Sequence, residues 1–169
     1  MEEMNRGRIF QINVSLGGVP KHPVAECAVT PLGLAGDKCA HPNIHGGPRQ
    51  AILLIAREVI DQLAQAGYPL TYGSLGENFT VDGLDHRHWR AGQRYRVGNE
   101  VVIELTKPRG PCRTLDIYGE NLKREIYDKK VKDGDPASPY WGMSGFYASV
   151  IQGGPVHPGA PIFLLDQAV

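Results

Sequence analysis

The spacing of apolar side chains changes period several times along this chain, and each period predicts an element. Residues 8–14 (RIFQINV) place Phe10, Ile12 and Val14 on alternate positions, the two-residue repeat of a half-buried strand. Residues 24–29 fit a second short strand, and 50–56 (QAILLIA) form a continuous apolar run suited to a fully buried one. The period then lengthens. Val59, Ile60 and Leu63 share one face of a helix over 57–66, and Gly67 supplies its stop. Strands are predicted over 77–81, 146–152 and 161–165. Residues 93–97 and 100–106 read as a hairpin around Gly98-Asn99, with Val101, Ile103 and Leu105 alternating on its second strand. A second helix is predicted over 120–130 from Leu122 and Ile126 at i,i+4. Glu120-Asn121 would open it, and the charge run Lys123–Lys132 would form its solvated face. Residues 30–48 and 131–145 are turn-rich loops, and Asp85–Trp89, without apolar periodicity, reads as a solvated turn. Seven or eight strands with two helices predict a mainly β fold with peripheral α-helices, closed or nearly closed into a β-barrel.

Composition narrows the class. The chain has 169 residues, with 21 glycines and 13 prolines, which favours short strands and loops over a helix bundle. It is expected to form one domain, 1–169, without internal repeats. Lys plus Arg and Asp plus Glu both number 18, which argues against a general nucleic-acid binder. The longest aliphatic run, Ala51–Ala56, is far too short to span a bilayer. Three cysteines at irregular spacing make no disulfide framework, and the polar first residues hold no apolar leader, so a reducing cytoplasm is the expected location.

Two segments concentrate reactive side chains. In Lys107-Pro-Arg-Gly-Pro-Cys-Arg113, Arg109 and Arg113 flank Cys112, and neighbouring positive charge favours the thiolate, the form that attacks electrophiles and binds soft metals. The plain alternative for Cys112 is a small buried hydrophobe. The second segment runs from Gly36 to Arg49. Cys39, His41 and His45 offer three zinc ligands, although Pro42 keeps the two histidines off one helix face. An anion or cofactor loop is the stronger reading. Gly46 and Gly47 let backbone amides approach a ligand, and Lys38 and Arg49 add positive charge. A solvated surface loop is the third. Gly73-Ser-Leu-Gly-Glu-Asn78 has the wrong spacing for a phosphate-binding Walker loop, and spacing alone gives Glu77 and Asn78 no special role.

The order of these motifs resembles the MOSC domain, named for the C-terminal part of molybdenum cofactor sulfurase. The resemblance rests on Gly33-Leu-x-Gly36-Asp37, His45-Gly-Gly47, Gly76-Glu-Asn78 with Gly83-Leu84, and Pro108-Arg109-x-Pro111-Cys112, over about Val24–Leu165. The chain is similar to the stand-alone bacterial branch. The longer members carry an extra N-terminal barrel for which 169 residues leave no room. It departs from the pattern at Cys39 and at His157-Pro-Gly-Ala160, where many members have Pro-Gly-Asp.

The resemblance implies a barrel like that of pyruvate kinase and a molybdenum–pyranopterin cofactor; pyridoxal phosphate is not expected. The family cysteine falls on Cys112, which would ligate molybdenum. Asn78 falls near the cofactor, Arg109 would pair with its anionic groups, and His45, Gly46, Gly47 and Arg49, with Lys38, would wall the pocket. The implied reaction reduces amidoximes, hydroxylamines or N-hydroxylated bases to amines or amidines, a detoxifying role, with electrons from a partner reductase. Two other expectations stand beside it: a carrier that holds the cofactor or a persulfide on Cys112, and a metal-free cysteine hydrolase needing a histidine beside Cys112. A homodimer is possible on this reading, and no nucleic-acid or membrane partner is expected.

Overall fold

The computed structural model describes residues 5–38 and 47–165. Its framework is a seven-stranded closed barrel. The strands are β1 (Arg6–Val14), β5 (Ile52–Ala56), β6 (Phe79–Asp82), β7 (Arg94–Val97), β8 (Val101–Pro108), β9 (Phe146–Gln152) and β11 (Pro161–Leu164). The ring runs β11-β7-β8-β9-β5-β6-β1 and closes through the β1–β11 pairing, so no barrel strand keeps an open edge. Every barrel pairing is antiparallel except β5–β6. That pair is parallel because the connection between its strands is a crossover carrying helix α1 (Arg57–Gln65). Val59, Ile60 and Leu63 are the buried face of α1, which packs on β5 and β6.

The predicted strand 24–29 is in fact two. β2 (His22–Val24) extends the barrel sheet beside β1, whereas β3 (Cys27–Thr30) pairs with β4 (Gly33–Leu34) and β10 (Gly154–Val156) in a separate three-stranded sheet. The alternation expected in β1 is also interrupted. Its register against β6 shifts between Ile9 and Gln11, so that Ile9 and Ile12 both face the core. Phe10 is left half-buried on the outside, where the Arg57 guanidinium lies 4.1 Å from its ring centre and Tyr72 meets its edge.

The helix predicted over 120–130 does not form. The segment is 3-10 turns at 113–118 and 122–125, followed by a short helix α2 (Lys129–Lys132). Asn121 makes no side-chain cap, whereas Asp128 is extended and accepts from the Val131 N–H, so the chain restarts there instead of continuing a helix. Leu122 and Ile126 are nonetheless buried, as their apolar character required. The segment around Asp85 also differs from a solvated turn. Asp85 caps a 3-10 turn at 86–88, but Trp89 is in the core, edge-on to Phe146, and its carbonyl accepts from the Trp141 indole N–H at 2.8 Å. Among the described residues no helix is long and apolar enough to cross a membrane.

Candidate functional site

A cleft of about 150 Å³ opens where β8 ends and β9 begins. Cys112, Arg109, Asn78, Lys21, Asp37 and Lys38 all line it. The first two arrive on the irregular segment that leaves β8. Arg109 is placed by its backbone, whose N–H donates to the Gly145 carbonyl at 2.8 Å, and its own carbonyl accepts a hydrogen bond from the Ser144 hydroxyl. Gly145 makes this approach possible. It adopts φ +94°, and a Cβ there would stand 2.7 Å from the Leu54 carbonyl oxygen.

Arg109 is buried, and two of its three nitrogens are committed. Nε donates to the Ser144 carbonyl at 2.9 Å and Nη1 to the Leu75 carbonyl at 2.8 Å. Nη2 has no partner. Burial pushes the guanidinium below its ordinary pKa, while the charges of Tyr147, Glu77 and Cys112 act the other way. A buried arginine remains protonated, so this is an unanswered cation in the wall that carries Cys112. The Cys112 sulfur lies 2.8 Å from the Thr114 hydroxyl. Arg113, expected to flank the thiol, is exposed and does not line the cleft.

Asn78 is held from every side. Its backbone N–H donates to the Leu53 carbonyl and its side-chain oxygen accepts from the Leu53 N–H, at 2.9 and 3.0 Å. Its amide nitrogen donates to the Asn13 carbonyl at 3.3 Å and to Asp37 Oδ2 at 2.9 Å. The residue therefore ties β5, β1 and the Asp37 loop together. Both of its N–H groups are spent, and through Asp37 it fixes Lys21, whose Nζ lies 2.6 Å from Asp37 Oδ1. Beneath the cleft, Glu77 is wholly buried. Its Oε2 accepts from the Gly73 N–H and the Thr80 hydroxyl, Oε1 has no partner among the described residues, and burial pushes its carboxyl upward.

Residues 41–163 match the family model of the MOSC domain. The chain belongs to the MOSC domain family. This is a family associated with binding of the molybdenum cofactor. Protein YiiM of Escherichia coli (strain K12) is 31% identical over 150 residues, a match covering 84% of this chain and 60% of YiiM. The MOSC chain thus spans about three-fifths of that relative's length. The crystal structure of YiiM from Geobacillus stearothermophilus superposes with a TM-score of 0.72 at 28% identity, covering 96% of this chain and 77% of that one. A protein named Reductase from Gibberella moniliformis (strain M3125 / FGSC 7600) is 25% identical over 148 residues, 83% of this chain and 24% of its own length. The mainly β barrel predicted from strand pattern and resemblance is therefore the fold of a MOSC domain.

The structure brings Cys112, Arg109, Asn78, Lys38 and Gly47 to one MOSC cleft. Arg49 is exposed and absent from its lining; its carbonyl accepts from the Thr106 hydroxyl. His45 and Gly46, and the zinc candidates Cys39, His41 and His45, lie outside the described residues. Among those described, no three His, Cys, Asp or Glu side chains cluster as a metal site. Sequence reasoning did not single out Lys21, Thr114 or Tyr147, which also line the cleft. Asp37 was inside a recognised motif; Lys21 carried no local signal at all. The donor set suits the family's cofactor. A thiol sulfur suits a metal held by dithiolene sulfurs, and an orphaned buried guanidinium N–H suits an anionic group.

Proposed function

We propose that this chain binds a molybdenum–pyranopterin cofactor in the Cys112 cleft and acts as an oxidoreductase on small N-hydroxylated compounds. The observation that carries the reading is that Cys112 and buried Arg109, whose Nη2 has no partner among the described residues, line one cleft. Cys112 Sγ is the metal ligand, with the Thr114 hydroxyl placed to donate to the thiolate. Arg109, Lys38 and the Gly47 backbone would hold the cofactor's anionic groups. Asn78 contributes by fixing Asp37 and hence the position of the Lys21 ammonium, instead of by direct contact.

When bound, the cofactor supplies two-electron redox chemistry that the side chains lack. In the reaction the N–O bond of an amidoxime, hydroxylamine or N-hydroxylated base breaks. Two electrons come from an external reductase and two protons are taken up, one leaving with the hydroxyl oxygen as water. The chain's own part is to hold the substrate beside Cys112. Lys21 and Lys38 add positive charge to the cleft lining. A carrier that binds the cofactor without turnover is the second reading, since the same thiol could hold cofactor or persulfide for delivery. Metal analysis of protein from a host that makes the cofactor tests both, comparing wild type with Cys112→Ser. Near-stoichiometric molybdenum and hydroxylamine reduction, both lost in Cys112→Ser, is the expected result. Bound molybdenum without turnover, given a competent donor, supports the carrier. Zinc that survives the substitution would overturn the cofactor reading.

A further inference from the structure

One buried carboxyl next to the cleft has no part in the reaction above. Gly76 and Asn78 line the cleft, whereas Glu77 between them does not and is wholly buried. The turn that carries it, residues 73–78, also holds Arg109. The Leu75 carbonyl accepts from Arg109 Nη1 at 2.8 Å, and a Cβ added at Gly76 would stand 3.9 Å from the same nitrogen. Both donors to the Glu77 side chain go to one oxygen. The Gly73 N–H reaches Oε2 at 3.1 Å. The Thr80 hydroxyl accepts from Asn13 Nδ2 at 3.1 Å and gives its own proton to Oε2 at 3.0 Å. Oε1, without a partner among the described residues, is left as the atom that takes or releases a proton.

Arg109 makes no ion pair among the described residues, so no carboxylate there neutralises it by contact. Glu77 and Arg109 nonetheless act on each other's charge, in an interior that screens charges far less than water does. Tyr118 also feels Glu77, and Arg109 also feels Tyr147 and Cys112. On the cleft side stand Lys38 and the Lys21–Asp37 pair. An anion in this cleft brings further negative charge to the site that Arg109 serves. It works against ionisation of Glu77 and in favour of the protonated form. The coupling is reciprocal: a protonated Glu77 leaves the charge of Arg109 to the anion, and an ionised one competes for it.

We infer that Glu77 sets the anion affinity of the cleft without lining it: an anion enters with uptake of a proton at Glu77 Oε1, and ionised Glu77 opposes its entry. Glu77 acts through Arg109 and is a positioning residue for charge. The inference rests on the reading above only in that the cleft takes an anion, and it needs no molybdenum. The test is calorimetric titration of the full chain, from a host that does not make the cofactor, with sulfate, a dianion that does not itself titrate between pH 5 and pH 8. The sulfate Kd of the wild type should rise about tenfold over that range, within the limit of about tenfold per pH unit that one linked proton sets. Titrations in two buffers of different ionisation enthalpy should show a proton taken up on binding. Glu77→Gln, neutral at every pH, should keep the tighter low-pH affinity throughout. Lys38→Gln should weaken sulfate about threefold at every pH and leave the slope as it was, the scale of one exposed charge contact. A slope that belongs to Cys112 or Tyr147 persists in Glu77→Gln, so the difference between the two profiles is that of Glu77. Equal slopes in wild type and Glu77→Gln overturn the inference. So does the absence of sulfate binding, or binding that Lys38→Gln leaves unchanged, which puts the ion outside the cleft. If Glu77→Gln does not fold, the proton count in Cys112→Ser decides: uptake kept there supports Glu77, and uptake lost there assigns the proton to the thiol and overturns the inference. A linked proton in a chain that neither holds molybdenum nor reduces hydroxylamines leaves this coupling standing while the functional reading fails.

Discussion

Replacing Glu77 by glutamine separates two electrostatic states of the barrel interior. Glu77 is wholly buried and its Oε1 has no partner among the described residues. Its other oxygen accepts two hydrogen bonds, at 3.1 Å from Gly73 and 3.0 Å from Thr80. Burial raises its pKa from the ordinary 4.5, and the charge of Arg109 only partly opposes the rise. The folded protein therefore keeps a proton that the unfolded chain has already released above that value. A raised folded pKa means that stability is fully present below 4.5 and is lost as pH rises toward the folded pKa. The loss is at most about 1.4 kcal/mol per pH unit. Glu77→Gln preserves the shape and both accepted hydrogen bonds but carries no titrating proton. Relative to wild type it should gain stability progressively as pH rises above 4.5, by no more than about 1.4 kcal/mol for each pH unit. Guanidinium unfolding of both proteins at pH 5, 6, 7 and 8 measures the difference directly. The reasoning is refuted if Glu77→Gln costs about 3 kcal/mol or more at neutral pH. That is the scale of breaking a buried ion pair, and it would mean that Glu77 is ionised against Arg109.

Two further substitutions probe the scaffold of the cleft. Asn78→Ala strips partners from the buried Leu53 N–H and the Asn13 carbonyl and frees Asp37, which should cost about 2–5 kcal/mol by chemical denaturation. Thermal melting should fall accordingly, by roughly 2–4 °C per kcal/mol for a chain of this size. An unchanged midpoint would show that Asn78 is not the clasp described. Gly145→Ala must place a Cβ against the Leu54 carbonyl oxygen and the Ile55 side chain at φ +94°. Left-handed strain and overpacking together should destabilise it by about 2–5 kcal/mol in the same assay. Molybdenum content should fall with it, because Arg109 hangs from the Gly145 carbonyl.

Periodicity alone placed most of the barrel. The continuous apolar run at 50–56 became β5 because a strand walled by the core on one side and α1 on the other needs no polar face. The hairpin around Gly98-Asn99 and helix α1 with its buried Val59, Ile60 and Leu63 also followed from local signals. Where the pattern misled, a non-local contact or a capping group was responsible. The β1 bulge arises from pairing with β6, seventy residues away in the chain, and turns Phe10 outward. Asp128 stops the helix that Leu122 and Ile126 suggested, because its carboxylate offers the backbone a competing bond.

The candidate site divides in the same way. The sequence by itself determined the chemistry-bearing types, a cysteine and an arginine on an irregular proline-glycine segment and an ordered set of motifs resembling one family. Only the tertiary structure decided which of them meet. Arg109 keeps Nη2 without a partner among the described residues because Nε and Nη1 are taken by two carbonyls from distant turns. Arg113, nearer to Cys112 in sequence, is exposed and absent from the cleft lining. Lys21 reaches the site only because β2 folds back on β1 and Asp37 receives its ammonium. Partnership among buried polar groups depends on distances across the barrel, and chain order does not encode those distances until the barrel has closed.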